Sequence, residues 1–238
     1  RSPEFEVKSI KTVCEYARKY NCVVYFVHIG SASALEQINK EKQKDTKIFV
    51  ETCPHYLTLS NESQEGYLAK VMPPIRSKQD VESVWAAISK NQIDTIGTDH
   101  VANQLKLKLQ GDDIWNALAG FPGIGTSLPI LLSEGVNKER LNLNQLVNLT
   151  SKNASKIFGL KSKGSLDIGF DADVTIIDLK KEAKVSHTLF GGFSDYLVYD
   201  GWNLKGWPIK TIVRGTIIAE DFEVIGKPGF GKFISRSS

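Results

Sequence analysis

Five side chains able to bind a metal or move a proton stand at the ends of three short apolar runs. His28 lies at the end of Cys22–Ile29 (CVVYFVHI). Glu51 lies at the end of Lys47–Thr52 (KIFVET) with His55 just past it, and Asp99 and His100 follow Ile93–Gly97 (IDTIG). Runs this apolar and β-rich predict strands covered on both faces, as in a parallel sheet. In parallel α/β folds the C-terminal strand edge is where ligands bind and where barrel enzymes carry their catalytic groups. Imidazoles and carboxylates there suit metal binding and general acid–base transfer. Plainer readings exist for each. A single strand-end His commonly serves as a buried hydrogen-bonding group, Asp99 could cap its turn, and His55 after Pro54 could be solvated. A catalytic metal site needs three protein ligands or more, and a two-metal site needs more still. The chain holds four histidines, and His187 is far from any strand-end cluster and reads as structural. These residues make part of a metal site at most.

Helices must separate the strands for the ends to align. Val7, Ile10, Val13, Cys14 and Ala17 recur at three- and four-residue steps and predict one amphipathic helix. Ser31 or Ser33 can cap a second through Leu35 and Ile38. Ser77 and Asp80 have capping-box spacing before Val81, Val84, Trp85 and Ile88, with Asn91 near the helix end. This βαβα order predicts an α/β fold with parallel pairing, which a doubly wound sheet and a (β/α) barrel satisfy equally. A loop with Gly111, Gly120, Gly123 and Gly125 then leads to helices over Thr126–Ser133 and Leu143–Phe158, the latter closed by Gly159. Beyond Lys163 the texture is β: Asp173–Asp178, Thr211–Val213, Thr216–Ala219 and Phe222–Ile225, with turns at Arg214-Gly215 and Glu220-Asp221. Phe190 to Pro208 reads as a turn-rich connection. The expected division is an α/β part over 1–163 and a small β-rich unit over 164–238.

Composition narrows the function classes. Of 238 residues, 41% are apolar and 24% charged, which excludes disordered and low-complexity readings. A net charge of +3 gives no reason to expect nucleic acid or an anionic membrane as partner. No apolar run approaches the roughly 20 residues a membrane span needs. No charged-then-apolar leader opens the chain, so export is not expected. Cys14, Cys22 and Cys53, odd in number and without CxxC spacing, suit a reducing cytoplasm. No predicted strand is followed by a glycine-rich phosphate loop, so a nucleotide-binding module is not expected.

Several segments in order carry a resemblance. They are Arg1-Ser2-Pro3-Glu4, Val27-His28-Ile29-Gly30, Glu51–Leu57 (ETCPHYL), Pro73-Pro74-Ile75-Arg76, Gly97-Thr98-Asp99-His100, Asn153–Leu160 (NASKIFGL), Gly164-Ser165-Leu166 with Gly169–Asp173 (GFDAD), Gly206-Trp207-Pro208 and Val213-Arg214-Gly215. Together they resemble the C-terminal half of the cyclic amidohydrolases: dihydropyrimidinase (hydantoinase), allantoinase and dihydroorotase.

The resemblance implies a partial (β/α)8 TIM-type barrel, its last three strands and their helices, with part of a small β domain. It implies that His28 and Asp99 are metal ligands and that Asp99 is also the catalytic general base. His55 would be an active-site neighbour. Met72 stands where relatives commonly place Ser or Asn against the substrate ring, leaving contact there to the backbone. Ala119 and Gly120 fall in a loop that meets the substrate through backbone groups. The implied cofactor is a pair of divalent metals, zinc by family habit. The His-x-His pair, a carboxylated lysine and a further His would lie outside this chain, which contains no HxH. The implied substrate is a small cyclic amide, and homo-oligomers are expected on the resemblance alone. ETCPHYL and PPIR look closer to allantoinases, and the tail to dihydropyrimidinases. On this reading the chain is part of an enzyme and is inactive by itself. The competing reading is an inactive dihydropyrimidinase-like scaffold, against which the retention of His28 and Asp99 argues.

Overall fold

In the computed structural model, which describes residues 2–44 and 46–236, the three apolar runs form one parallel sheet. Its strands are β1 (Val24–Phe26), β2 (Ile48–Thr52) and β3 (Thr95–Ile96), in the order β1-β2-β3. Val24 pairs with Ile48 and Glu51 with Thr95. Arg1, from the first matching segment, lies outside the described residues.

The helices between them follow their sequence signals. Helix α1 (Pro3–Tyr20) starts with Pro in its first turn, has Glu4 and Glu6 there and Arg18 and Lys19 in its last turn, as the helix dipole favours. Its buried stripe is Ile10, Cys14 and Ala17, while Val13 is exposed. β1 is shorter than the apolar run because α1 consumes its start. Asn21 caps the helix at φ 51, and the Cys22 amide donates to the Ala17 carbonyl at 2.8 Å. Helix α2 (Ala32–Lys42) is capped by Ser31, which accepts from the Ala34 amide. A short α3 (Pro54–Thr58) follows β2, and α4 (Lys78–Ser89) opens with the Ser77–Asp80 capping box. A one-turn α5 spans Leu105–Lys108.

Where α1 meets α2, Glu41 is buried and fully engaged. Arg18 lies 2.5 Å from one carboxylate oxygen, and Gln37 (2.7 Å) and Lys44 (3.1 Å) donate to the other. Burial alone would raise this carboxyl, but the Arg18 and Lys44 bonds outweigh it and hold it below the usual range. A depressed carboxyl contributes stability at neutral pH that is lost as pH falls through its folded-state value. Arg18→Ala would strand the charge, and breaking a buried pair costs roughly 3–5 kcal/mol. Because Lys44 stays, the lower end is expected in denaturant unfolding at pH 7. The deficit should shrink as acid neutralises Glu41, and a pH-independent deficit would contradict the assignment.

Packing divides the chain differently from element type. One unit runs to Ile124 and takes back Phe193–Val198, and the other holds Gly125–Gly192 and the chain from Tyr199 onward. The division at 163/164 separates helical from β-rich sequence. The packed division puts helices α6 (Ser127–Ile130), α7 (Leu143–Val147) and α8 (Asn153–Ile157) with the second sheet. α6 continues into π-helical turns over Leu131–Val136, and Asn148–Lys152 joins α7 to α8 in the same way.

The second sheet is an antiparallel meander of β4 (Val174–Lys184), β5 (Asn203–Val213), β6 (Thr216–Glu220) and β7 (Glu223–Val224). Two strands are longer than the sequence predicts. β4 runs on through Lys180-Lys181-Glu182 because an antiparallel strand can leave one face in water. β5 starts inside the expected turn-rich connection, where Gly206 and Pro208 hide it. The register slips between Lys210 and Pro208, and a bulge is where a strand tolerates proline. Gly206, at φ +96, sits so close to the helix that an added Cβ would lie 2.8 Å from Leu132 Cβ. Trp207 is fully buried between Phe190 and Phe222. Arg214-Gly215, with φ 46 and 78, forms the turn before β6. The next turn centres on Asp221-Phe222, one residue later than expected. The GFDAD segment is also structural: Asp173 accepts from the Arg214 amide at 2.8 Å, and Asp171 and Asp173 both pair with Lys163.

Candidate active site

His28 lies two residues past β1 and Asp99 three past β3, and both hold left-handed backbone, at φ 46 and 47. A non-glycine residue there costs of order 1–3 kcal/mol and persists only where its surroundings enforce it. Here the enforcement is interstrand bonding that outlasts the strands. The Ile29 amide donates to the Glu51 carbonyl at 2.8 Å, and the Gly97 amide to the Thr52 carbonyl at 3.0 Å. The Thr52 hydroxyl, buried between them, donates to the Ile29 carbonyl at 2.7 Å. Three strand ends are thereby tied into one edge.

The groups on that edge act on one another. Burial raises the Asp99 carboxyl above the ordinary carboxylate range, and the charge of His28 offsets part of the rise. Burial, then His28, pushes His55 down to about 3, so its imidazole is neutral near pH 7. His55 is 2% exposed and lies against Tyr56 and edge-on to Phe121. Its Nε2 and the Nδ1 of His28 are buried without a hydrogen-bond partner among the described residues. Among the described residues no donor reaches the Asp99 carboxylate. Buried polar atoms are nearly always satisfied, so unsatisfied groups on one strand edge make it the candidate site. The donor set, an imidazole nitrogen and a carboxylate, fits a divalent metal but does not complete its shell. Among the described residues no group of three or more His, Cys, Asp or Glu is placed to hold a metal alone.

The two remaining strand-end candidates are occupied elsewhere. Glu51 accepts from the Tyr25 hydroxyl at 2.7 Å and underlies Gly97, whose added Cβ would lie 2.5 Å from Glu51 Cδ. The exposed His100 uses Nδ1 to accept from the Gly123 and Ile124 amides at 3.1 and 3.3 Å. It anchors the loop in front of the edge.

That loop and the Met72 segment meet. The Gly120 amide donates to the Lys70 carbonyl at 2.9 Å, and the Val101 amide to the Phe121 carbonyl at 3.1 Å. Met72 is exposed and Ala119 partly so. Gly120, at φ +88, lies so close to Val101 that an added Cβ would be only 2.4 Å away, and its own amide is engaged by the Lys70 carbonyl. Two residues escaped sequence reading. Lys108 is fully buried, and Lys70 donates to the carbonyls of Ile114, Trp115 and Ala117. Neither carries a sequence signal, because a lysine in a polar stretch reads as solvated.

Gly30 sets the floor of the edge. A Cβ there would lie 2.1 Å from Tyr56 Cδ1, on a ring 2% exposed whose hydroxyl donates to the Pro73 carbonyl. Gly30→Ala is expected to cost about 1–3 kcal/mol by overpacking. Denaturant midpoints would measure it, and an unchanged midpoint would mean the ring moves freely.

Residues 2–218 match the sequence model of the "Amidohydrolase family". An L-hydantoinase of Paenarthrobacter aurescens is 34% identical over 97% of this chain and 51% of its own length. A dihydroorotase of Methanosphaera stadtmanae is 37% identical over 94% of the chain and 51% of its own. The solved structure of an L-hydantoinase (dihydropyrimidinase) from Arthrobacter aurescens superposes with a TM-score of 0.95 at 34% identity, covering 99% of this chain and 53% of that one. The chain thus spans about half the length of the relatives it matches. No helix among the described residues is long and apolar enough to cross a membrane.

Proposed function

The chain belongs to the amidohydrolase family, and from that premise we propose that it supplies part of the site of a metal-dependent hydrolase of cyclic amides. β1 to β3 and their helices are the last three units of a (β/α)8 barrel. The observation that carries the reading is the pair His28 and Asp99, both in left-handed backbone on one parallel-strand edge, with an imidazole nitrogen unpartnered among the described residues and a carboxylate raised by burial.

His28 and Asp99 would hold metal, and a His-x-His pair, a carboxylated lysine and one more His from outside these 238 residues complete the set, with two zinc ions as the expected occupants. The chemistry such a pair supplies when bound is polarisation of a ring amide carbonyl and an acidified water. Asp99 takes the proton of the attacking water at its carboxylate and passes it to the departing amide nitrogen. His55, neutral and buried, offers Nε2 to the ring as a hydrogen-bonding partner without competing for the proton. Met72 and Ala119 face the ring with backbone groups, and Gly120 shapes the loop between them. The relatives split between hydantoinase and dihydroorotase names, so the ring itself is a matter for assay.

Metal analysis with a hydantoin, dihydroorotate and allantoin hydrolysis panel tests this. The whole protein should carry the metals and turn over one of these rings. The 238 residues alone should hold no stoichiometric pair and show little turnover. Two bound metals and turnover by these residues alone would overturn the shared-site reading.

A further inference from the structure

Lys108 is fully buried, yet no acidic side chain pairs with it among the described residues. Its ammonium instead donates all three hydrogens to carbonyls: Lys70 at 2.8 Å, Leu118 at 2.7 Å and Gly120 at 2.8 Å. Phe121 lies 5.7 Å away at ring centre. Burial, then the charge of Lys70, pushes Lys108 down to about 8. A buried cation with no counter-ion is costly, and a methionine would fill similar volume without that cost. What methionine lacks is three directional bonds converging from two separate segments.

Those segments adjoin His55 and its neighbour Tyr56, whose hydroxyl donates to the Pro73 carbonyl at 2.6 Å. Lys70 leads into Met72, while Leu118 and Gly120 bracket Ala119 and precede Phe121, which lies edge-on to His55. The Gly120 amide returns to the same Lys70 carbonyl that Lys108 grips, and the Leu118 amide donates to the Lys108 carbonyl at 3.0 Å. Lys70 repeats the device outward on the carbonyls of Ile114, Trp115 and Ala117.

We propose that Lys108 is a positioning residue whose buried ammonium clamps the Met72 segment and the Ala117–Phe121 loop together, fixing the backbone groups that select and hold the substrate. This rests on the reading that both segments face the substrate. The clamp touches neither the proposed metal ligands nor the proton path, so its loss should weaken binding that is uniform between ground and transition state.

The test uses the whole, metal-loaded protein and Lys108→Met. Expected are KM raised about tenfold or more, the loss of about 1.4 kcal/mol of binding, with kcat within a few-fold and metal content unchanged. Amide hydrogen exchange should quicken in 68–72 and 117–121 and stay unchanged in β1 and β2. If Lys108→Met does not fold, Lys70→Met, at a half-exposed site, should shift KM and exchange in the same direction by less. Unchanged KM with unchanged exchange overturns the clamp. So does a fall in active fraction with KM intact, which marks a structural lysine only. If the unsubstituted protein hydrolyses no cyclic amide, the site reading fails by itself, and exchange still decides whether the clamp exists.

Discussion

Asp99→Asn should lower kcat of the whole protein by about 10²- to 10⁴-fold, the span that a positioned general base contributes, while leaving the metal-free fold as stable as before or more so. The second half of that expectation is the sharper one. Burial raises the Asp99 carboxyl, and among the described residues no hydrogen bond rewards its charge and His28 alone offsets the rise. A carboxyl raised in the folded state costs stability once pH passes its unfolded value, so removing the charge relieves the fold at neutral pH. A structural aspartate behaves in the opposite way and loses stability on amidation. Activity and thermal midpoint measured on one preparation separate the two, since activity lost together with stability would assign Asp99 to the fold. Trading stability for reactivity is what a site residue is expected to do.

His28→Ala should strip metal from the whole protein. Even residues that only support a ligand cost 10- to 100-fold in metal affinity when removed, and a direct ligand should cost more. Metal per chain after dialysis should fall below the unsubstituted value, and kcat/KM with it, with partial recovery in excess zinc. The fold should survive, because the buried Nδ1 of His28 has no hydrogen-bond partner among the described residues. His100→Ala is the contrast. It removes the acceptor of the Gly123 and Ile124 amides and should loosen the loop while metal content stays unchanged.

Much of this was legible from residue order. The three parallel strands, the Ser31 and Ser77 caps and the grouping of His28 and Asp99 at one edge follow from apolar runs, capping spacing and strand-end chemistry. What was hidden has physical causes. Cys22 looks like strand but closes α1, because a left-handed Asn21 turns the chain back on the helix. The start of β5 is disguised by a glycine that admits Leu132 and a proline housed beside a bulge. Glu51 and His100 carry metal-capable groups, and only the hydrogen bonds that occupy them remove them from the list of candidates. Lys108 could not be read at all. Its burial depends on three carbonyls from positions 70, 118 and 120, a convergence that no local pattern encodes.

Zinc anomalous diffraction from crystals of the whole protein bears most directly on the shared-edge claim. The expected map places a zinc within about 2.0–2.2 Å of an imidazole nitrogen of His28 or a carboxylate oxygen of Asp99, with the other residue on the same centre or its neighbour. A fully loaded, active protein whose metals touch neither side chain would contradict it.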